Sequence, residues 1–195
     1  MDQLIQIKLQ IQTGRLFFRA LSLTDLENIH ALLQLPETDE FNTLGIPETT
    51  LATEKIISAW MDKINQYPPA QYVFCLEHGE SNQFIGIAGI NLRESKFSSA
   101  EVWFKIHPVC WNQGFATEAL IRILEFGFDQ LQLHRIEAGC ATGNLASARV
   151  MEKAGMIREG TKRKILPIRG EWYDAHGYSI LLEDFQTFHK RRGAS

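Results

Sequence analysis

The chain reads as one mixed α/β domain of about seven strands and about four helices. Three observations predict it. The 195 residues suit a single continuous core, expected to span about 13–186. Segments with a two-residue apolar alternation are interleaved with segments whose apolar residues recur every three or four positions. Residues 101–141 run strand, helix, strand, which in one sheet makes a right-handed parallel crossover.

The elements follow in order. Arg15-Leu16-Phe17-Phe18-Arg19 is a short first strand. Ser22, with Asp25 three residues on, is a capping box for a helix whose inner face carries Leu26, Ile29 and Leu33. Pro36 helps end it, and a loop covers 37–47. Thr49 or Thr50 opens a second helix with the stripe Ile57, Trp60, Met61 and Ile64, stopped by Pro68-Pro69. Residues 72–77 and 84–91 are strands joined by a turn at 79–82. Val102, Phe104 and Ile106 alternate with Glu101, Trp103 and Lys105 in another strand, closed by Pro108. After Gly114, Leu120, Leu124, Phe128 and Leu131 recur at helical spacing. Ile136, Ala138 and Cys140 alternate again, and a shorter helix covers 145–154 with Gly155 as its C-cap. Two strands end the fold, 160–168 and 171–182, joined at Arg169-Gly170.

Composition excludes several classes. A 45% apolar and 22% charged chain is an ordinary globular protein, not a disordered one. Its net charge of −3 argues against a nucleic-acid partner, and the clusters Lys162-Arg163-Lys164 and Lys190-Arg191-Arg192 read as solvated faces. Cys75, Cys110 and Cys140 are widely spaced and form no Cys-x-x-Cys pair, so no metal is expected. Met1-Asp2-Gln3-Leu4 has no leader pattern, and no apolar run approaches the ~20 residues of a membrane helix. The expected setting is the cytoplasm, without a membrane partner.

The passage from strand to helix through Gly114 is where chemistry enters. The first N–H groups of a helix have no backbone partner and the helix dipole is positive there, so the turn can hold an anion without a basic side chain. Gly114 allows close approach, Ala116 stays small and the Thr117 hydroxyl adds a donor. The bland alternative is that Gly114 only permits a tight connection. The three spaced glycines of a dinucleotide fingerprint and the Gly-Lys-Ser/Thr of a P-loop are missing.

The stretch His107-Pro108-Val109-Cys110-Trp111-Asn112-Gln113-Gly114-Phe115-Ala116-Thr117-Glu118-Ala119 resembles motif A of the GNAT acetyltransferases, in the branch of the ribosomal-protein-alanine N-acetyltransferases. Arg15–Arg19, Arg135-Ile136-Glu137-Ala138, the run from Asn144 to Met156 and the run from Asp174 to Phe185 resemble other parts of that branch in the right order. Many members have Gln or Arg in place of Trp111 and Gly in place of Asn112 or Ala116. If position 112 needs a positive φ, Asn is the best non-glycine choice.

The resemblance implies a GNAT-like fold with a mixed, mostly antiparallel twisted sheet. It implies an acetyl-CoA-dependent N-acetyltransferase that moves an acetyl group directly to a primary amine. The acceptor it favours is a protein or peptide N-terminal α-amine. A small-molecule amine, or a weakly catalytic acyl-CoA-binding sensor, are the alternatives, and the chain would act as a monomer or homodimer. Backbone groups of Phe104 and Ile106 would hold the cofactor's arm, and Gln113, Gly114, Phe115, Ala116 and Thr117 its pyrophosphate. Asn144 would bond the arm and Ser147 would protonate or hydrogen-bond the leaving thiolate; locally the pair also reads as an N-cap and first-turn filler. Glu101 is the first choice of base, Glu137 the second and His107 a third, while deprotonation through water needs none. Tyr178 packs near the thioester or in the core. Trp103 packs or lines the acceptor mouth, with Glu40, Phe41 and Asn42 across from it. The thiols lack a histidine partner and are poor nucleophiles.

Overall fold

The computed structural model describes residues 11–193. The Met1–Leu4 reading and the side chains of Arg191 and Arg192 lie outside that description. Eight strands form one sheet: β1 (Ile11–Gln12), β2 (Leu16–Ala20), β3 (Gln71–His78), β4 (Phe84–Leu92), β5 (Ser99–Ile106), β6 (Arg135–Ala141), β7 (Ile157–Ile168) and β8 (Glu171–Leu181). Their spatial order is β1-β2-β3-β4-β5-β6-β8-β7. Every neighbouring pair is antiparallel except β5 and β6, the two ends of the expected crossover.

The helices are α1 (Leu26–Gln34), α2 (Pro36–Asp39), α3 (Thr50–Asn65), α4 (Phe115–Glu125), α5 (Leu145–Lys153) and α6 (Leu182–Gly193). Two of them, α2 and α6, are additions to the sequence reading. Pro36 does not merely end α1; it occupies the first turn of α2, where its missing N–H is harmless. The closing strand stops at Leu181, where Asp184 Oδ2 accepts the Leu181 N–H at 3.2 Å and the chain turns into α6. β7 also begins earlier than expected, at Ile157.

Local signals explain the rest. The Ser22 N–H donates to Asp25 Oδ2 at 2.9 Å, closing one half of the capping box. Thr49 Oγ1 caps α3 by accepting the Ala52 N–H at 3.2 Å. Arg169 and Gly170 take φ of 50° and 81°, the pair of positive values a two-residue hairpin uses.

Each face of the sheet carries a core. On one side Val102, Ile106 and Ile136 pack under α4, α5 and α6, with Phe115, Leu120, Leu124, Met151 and Phe185. On the other, Ile29, Leu32, Leu33 and Ile57 of α1 and α3 cover Val73, Cys75 and Ile87. Leu120 and Leu124 are fully buried on α4, so truncating either to Ala costs about 2–5 kcal/mol. That packing fixes where the N-terminus of α4 points.

Candidate active site

The parallel pairing of β5 and β6 ends at Glu101↔Glu137. Beyond it β5 stays paired to β4 as far as Ile106 and β6 stays paired to β8 as far as Ala141. The two strands therefore part in the middle of the sheet. The Arg93 N–H donates to Ser99 C=O at 3.0 Å and the His107 N–H to Ile85 C=O at 2.8 Å, so odd-numbered residues of β5 face β4. Val102, Phe104 and Ile106 turn their backbone groups into the opening. By the same parity, Leu182 N–H to His134 C=O and Thr142 N–H to Asp174 C=O leave Gly139 and Ala141 of β6 facing it from the other side.

One end of this opening leads to the turn before α4. A 3₁₀ turn, Pro108–Cys110, brings the chain round to Trp111. The Trp111 indole N–H donates to Ile106 C=O at 2.7 Å, so the carbonyl of Ile106 is occupied while its N–H faces the opening. Asn112 has φ of 59°, the condition under which Asn replaces Gly. Gly114 has φ of 84°. The first helical bond of α4 is Glu118 N–H to Gly114 C=O, so the N–H groups of Phe115, Ala116 and Thr117 have no partner within the helix. Gln113 Nε2 is spent on Val109 C=O at 2.8 Å, leaving its backbone as the usable part.

A cation reinforces the turn. Arg15 Nη1 donates to Gln113 C=O at 3.0 Å, and its guanidinium lies 4.5 Å from the centre of the Phe115 ring. Arg15 is held by Glu118 at 2.7 Å. Burial alone would raise the Glu118 carboxyl, but hydrogen bonds from Thr13 and Arg15 outweigh it and hold it below the ordinary value. The first strand was legible in the sequence, but its arginine beside the turn was not: 98 positions separate the two residues.

On the far side, Asn144 Oδ1 caps α5 by accepting the Ser147 N–H at 3.0 Å. The capping role expected locally is present, and it leaves the Asn144 amide N–H and the Ser147 hydroxyl as donors. Tyr178 is 2% exposed and its hydroxyl donates to Glu152 at 3.1 Å, which makes it a core aromatic. Trp103 lies on Gly89, where an added Cβ would meet the ring at 2.6 Å, and against Trp60 at 5.5 Å between ring centres. It packs.

The three carboxylate and imidazole candidates differ in freedom. Glu101 is exposed and stands at the last paired position before the strands part. Glu137 beside it is tied to Arg93 and to Arg135, the latter at 2.9 Å. His107 Nδ1 accepts the Val109 N–H at 3.3 Å, which places it in the turn. All three thiols are buried and free, and burial pushes Cys140 up to about 11. Among the described residues no group of three or more His, Cys, Asp or Glu is placed to hold a metal. No helix among them is long and apolar enough to cross a membrane.

The segment after α1 crosses this region. Lys105 Nζ donates to Thr38 C=O at 3.2 Å, and burial brings its ammonium down to about 8. Asp39 Oδ2 accepts from Arg169 Nε at 3.0 Å. Phe41 lies against Gly143, where an added Cβ would come within 3.1 Å of the ring. The segment thus touches β5, the β6–α5 turn and the β7–β8 hairpin. Of its residues the sequence pointed to Glu40, Phe41 and Asn42; Asp39 and Lys105 were missed, because only the fold shows that they are buried.

Splayed parallel strands beside a helix N-terminus with unpaired N–H groups form an open groove that leads to an anion-favouring end. The comparisons give the family. Residues 15–157 match the acetyltransferase (GNAT) domain, and the chain belongs to that family of acetyl-CoA-dependent N-acetyltransferases. It is 30% identical over 172 residues to the uncharacterized N-acetyltransferase YoaA of Bacillus subtilis, covering 88% of this chain and 96% of that one. It is 45% identical over 85 residues to the uncharacterized N-acetyltransferase YnaD of the same organism, where the match spans 44% of this chain and half of the relative. The fold superposes with a TM-score of 0.78 on a spermidine N-acetyltransferase from Vibrio cholerae in complex with CoA and spermine, at 24% identity over 89% of this chain and 99% of that one.

Proposed function

We propose that the chain transfers the acetyl group of acetyl-CoA directly to the α-amine of a protein or peptide N-terminus. The observation that supports it is the continuity of the open edge of β5 with the free N–H groups at the start of α4. In this reading the pyrophosphate sits on the N–H groups of Gly114, Phe115, Ala116 and Thr117 and the backbone of Gln113, where the helix dipole favours negative charge. Arg15, half-exposed and paired with Glu118, lies beside the turn as a further donor. The pantetheine arm takes the place of the missing β5–β6 ladder, bonding the backbone of Phe104 and Ile106 on one side and the Asn144 amide on the other.

The chemistry follows from that placement. The amine nitrogen forms a bond to the acetyl carbon and the carbon–sulfur bond breaks. The carbonyl oxygen becomes negative on the way and is stabilised by a backbone N–H of the open strand. The thiolate takes a proton through the Ser147 hydroxyl, which regains one from water, and the proton shed by the amine passes to Glu101 or to water. An α-amine with pKa near ~7.7–8 needs little help to lose its proton, and of the two candidate carboxylates Glu137 is held in ion pairs whereas Glu101 has none among the described residues. The test is thiol release from acetyl-CoA across a panel of peptides and small amines. Release with α-amines supports the reading; cofactor binding without release for any acceptor leaves a CoA-binding protein instead.

A further inference from the structure

Two of the buried side-chain atoms without a hydrogen-bond partner among the described residues belong to one short turn: Asp39 Oδ1 and Asn42 Nδ2. Asp39 is 4% exposed. The Asn42 N–H donates to Asp39 C=O at 3.0 Å, so the two residues close the same turn. Their other polar atoms are occupied. Asp39 Oδ2 holds Arg169, and Asn42 Oδ1 accepts the Leu44 N–H at 3.2 Å. What remains is one acceptor and one donor, both hidden from water, on the segment that bridges the parted strands. Unmet buried polar groups are costly, and they are completed by a water, an ion or a ligand.

We propose that the Asp39–Asn42 turn is the acceptor-recognition element and that it takes an α-amino-acyl group, the amine donating to Asp39 Oδ1 and the adjoining carbonyl accepting from Asn42 Nδ2. This rests on the reading of the chain as an acetyltransferase of α-amines. A polyamine or a lysine side chain supplies only donors and leaves Asn42 Nδ2 unmet. An N-terminal residue supplies both.

The charges around the turn select the same class. Lys105 approaches from β5 and Arg169 from the β7–β8 hairpin, while Glu37 and Glu40 on the turn itself are exposed. Two cations beside one buried carboxylate resist a third positive charge. An α-amine, with pKa near ~7.7–8, enters neutral at small cost, whereas a lysine-type amine near ~10.4 does not. The neutral form is also the nucleophile. Arg169, whose side chain is 57% exposed, is the partner able to turn outward and admit the acceptor.

The experiment measures acceptor KM and kcat at saturating acetyl-CoA, by thiol release and mass detection, with an alanine-leading pentapeptide, alanine amide, sec-butylamine and spermidine. Wild type is expected to prefer the two alanyl acceptors. Asp39→Asn raises KM for them at least ~10-fold, as loss of a charge-assisted bond does. Asn42→Ala raises KM ~5- to 10-fold for the alanyl acceptors and leaves sec-butylamine unchanged. Arg169→Gln, which breaks the same ion pair but keeps Oδ1, changes KM less than ~3-fold. Acetyl-CoA affinity stays at the wild-type value throughout. Alanyl turnover with an unchanged KM in both Asp39→Asn and Asn42→Ala overturns this inference alone, as does an Asn42→Ala effect equal for alanyl and butyl acceptors. If Asp39→Asn does not fold, Asn42→Ala decides the matter. Failure of wild type to acetylate any α-amine overturns the proposed function as well.

Discussion

Replacing Gly114 by valine separates binding from folding. The backbone there has φ of 84°, and an added Cβ meets only Arg15 Nη2, at 3.3 Å. That atom ends a flexible and half-exposed side chain, so it gives way, and the cost is conformational: about 1–3 kcal/mol for a β-branched residue in the left-handed region. For a chain this size each kcal/mol lowers Tm by roughly 2–4 °C, so the variant folds with a Tm about 2–12 °C lower. The effect on the cofactor is larger. A branched side chain at the entrance to α4 keeps a phosphate away from the N–H groups of Phe115 and Ala116, and losing one or two charge-assisted bonds of about 1.5–3 kcal/mol weakens binding ~10- to 10⁴-fold. At a concentration 100 times the wild-type Kd, acetyl-CoA stabilises wild type by about 2.7 kcal/mol, or roughly 5–11 °C; if affinity falls 100-fold the same concentration gives about 0.4 kcal/mol, or roughly 1–2 °C. Differential scanning fluorimetry with and without acetyl-CoA reads both quantities. A variant with the lowered Tm but the full ligand-induced shift would refute the assignment of the turn.

Three further expectations accompany it. Ser147→Ala lowers kcat ~10²-fold with a smaller change in acetyl-CoA affinity, read by steady-state kinetics; an unchanged kcat reduces Ser147 to the first turn of α5. Glu101→Gln lowers kcat/KM most on the acid side of the pH profile, where the acceptor is protonated, and a uniform loss across pH would remove its role as base. Lys105 gives a stability signature, because burial lowers its pKa in the folded state from 10.5 to about 8. Between those values the unfolded chain binds more protons, so folding stability gains with rising pH relative to Lys105→Met. Urea denaturation of both proteins at pH 7 and pH 9.5 checks this, and a wild-type stability that falls or stays fixed relative to Lys105→Met over that interval contradicts the burial of the ammonium.

Local rules carried the sequence reading where the determinants are local. The stripe of Leu120 and Leu124, the capping box at Ser22 and Asp25 and the two-residue hairpin at Arg169-Gly170 are each set by neighbours within a few positions, whereas the positive φ at Asn112 was only a condition in the sequence reading. The parting of β5 and β6 is different. Val102, Phe104 and Ile106 alternate in the same way whether or not a neighbouring strand is bonded to them, so only the register shows the opening. Contacts across the chain were equally hidden: Arg15 with Gln113, Lys105 with Thr38, Asp39 with Arg169. Two signals were available and unused. Pro36 marks a helix start as readily as a stop, and Asp184, three residues past Leu181, is a capping residue within what resembled a closing strand.

The most direct test of the account is incubation of the purified protein with acetyl-CoA and a mixture of peptides, each bearing both a free N-terminus and an internal lysine, with mass spectrometry locating the product. The expected product carries one added acetyl group on the N-terminal nitrogen, with one free thiol released per acetyl transferred. Acetylation confined to lysine side chains or to hydroxyls, with free N-termini untouched, would contradict it.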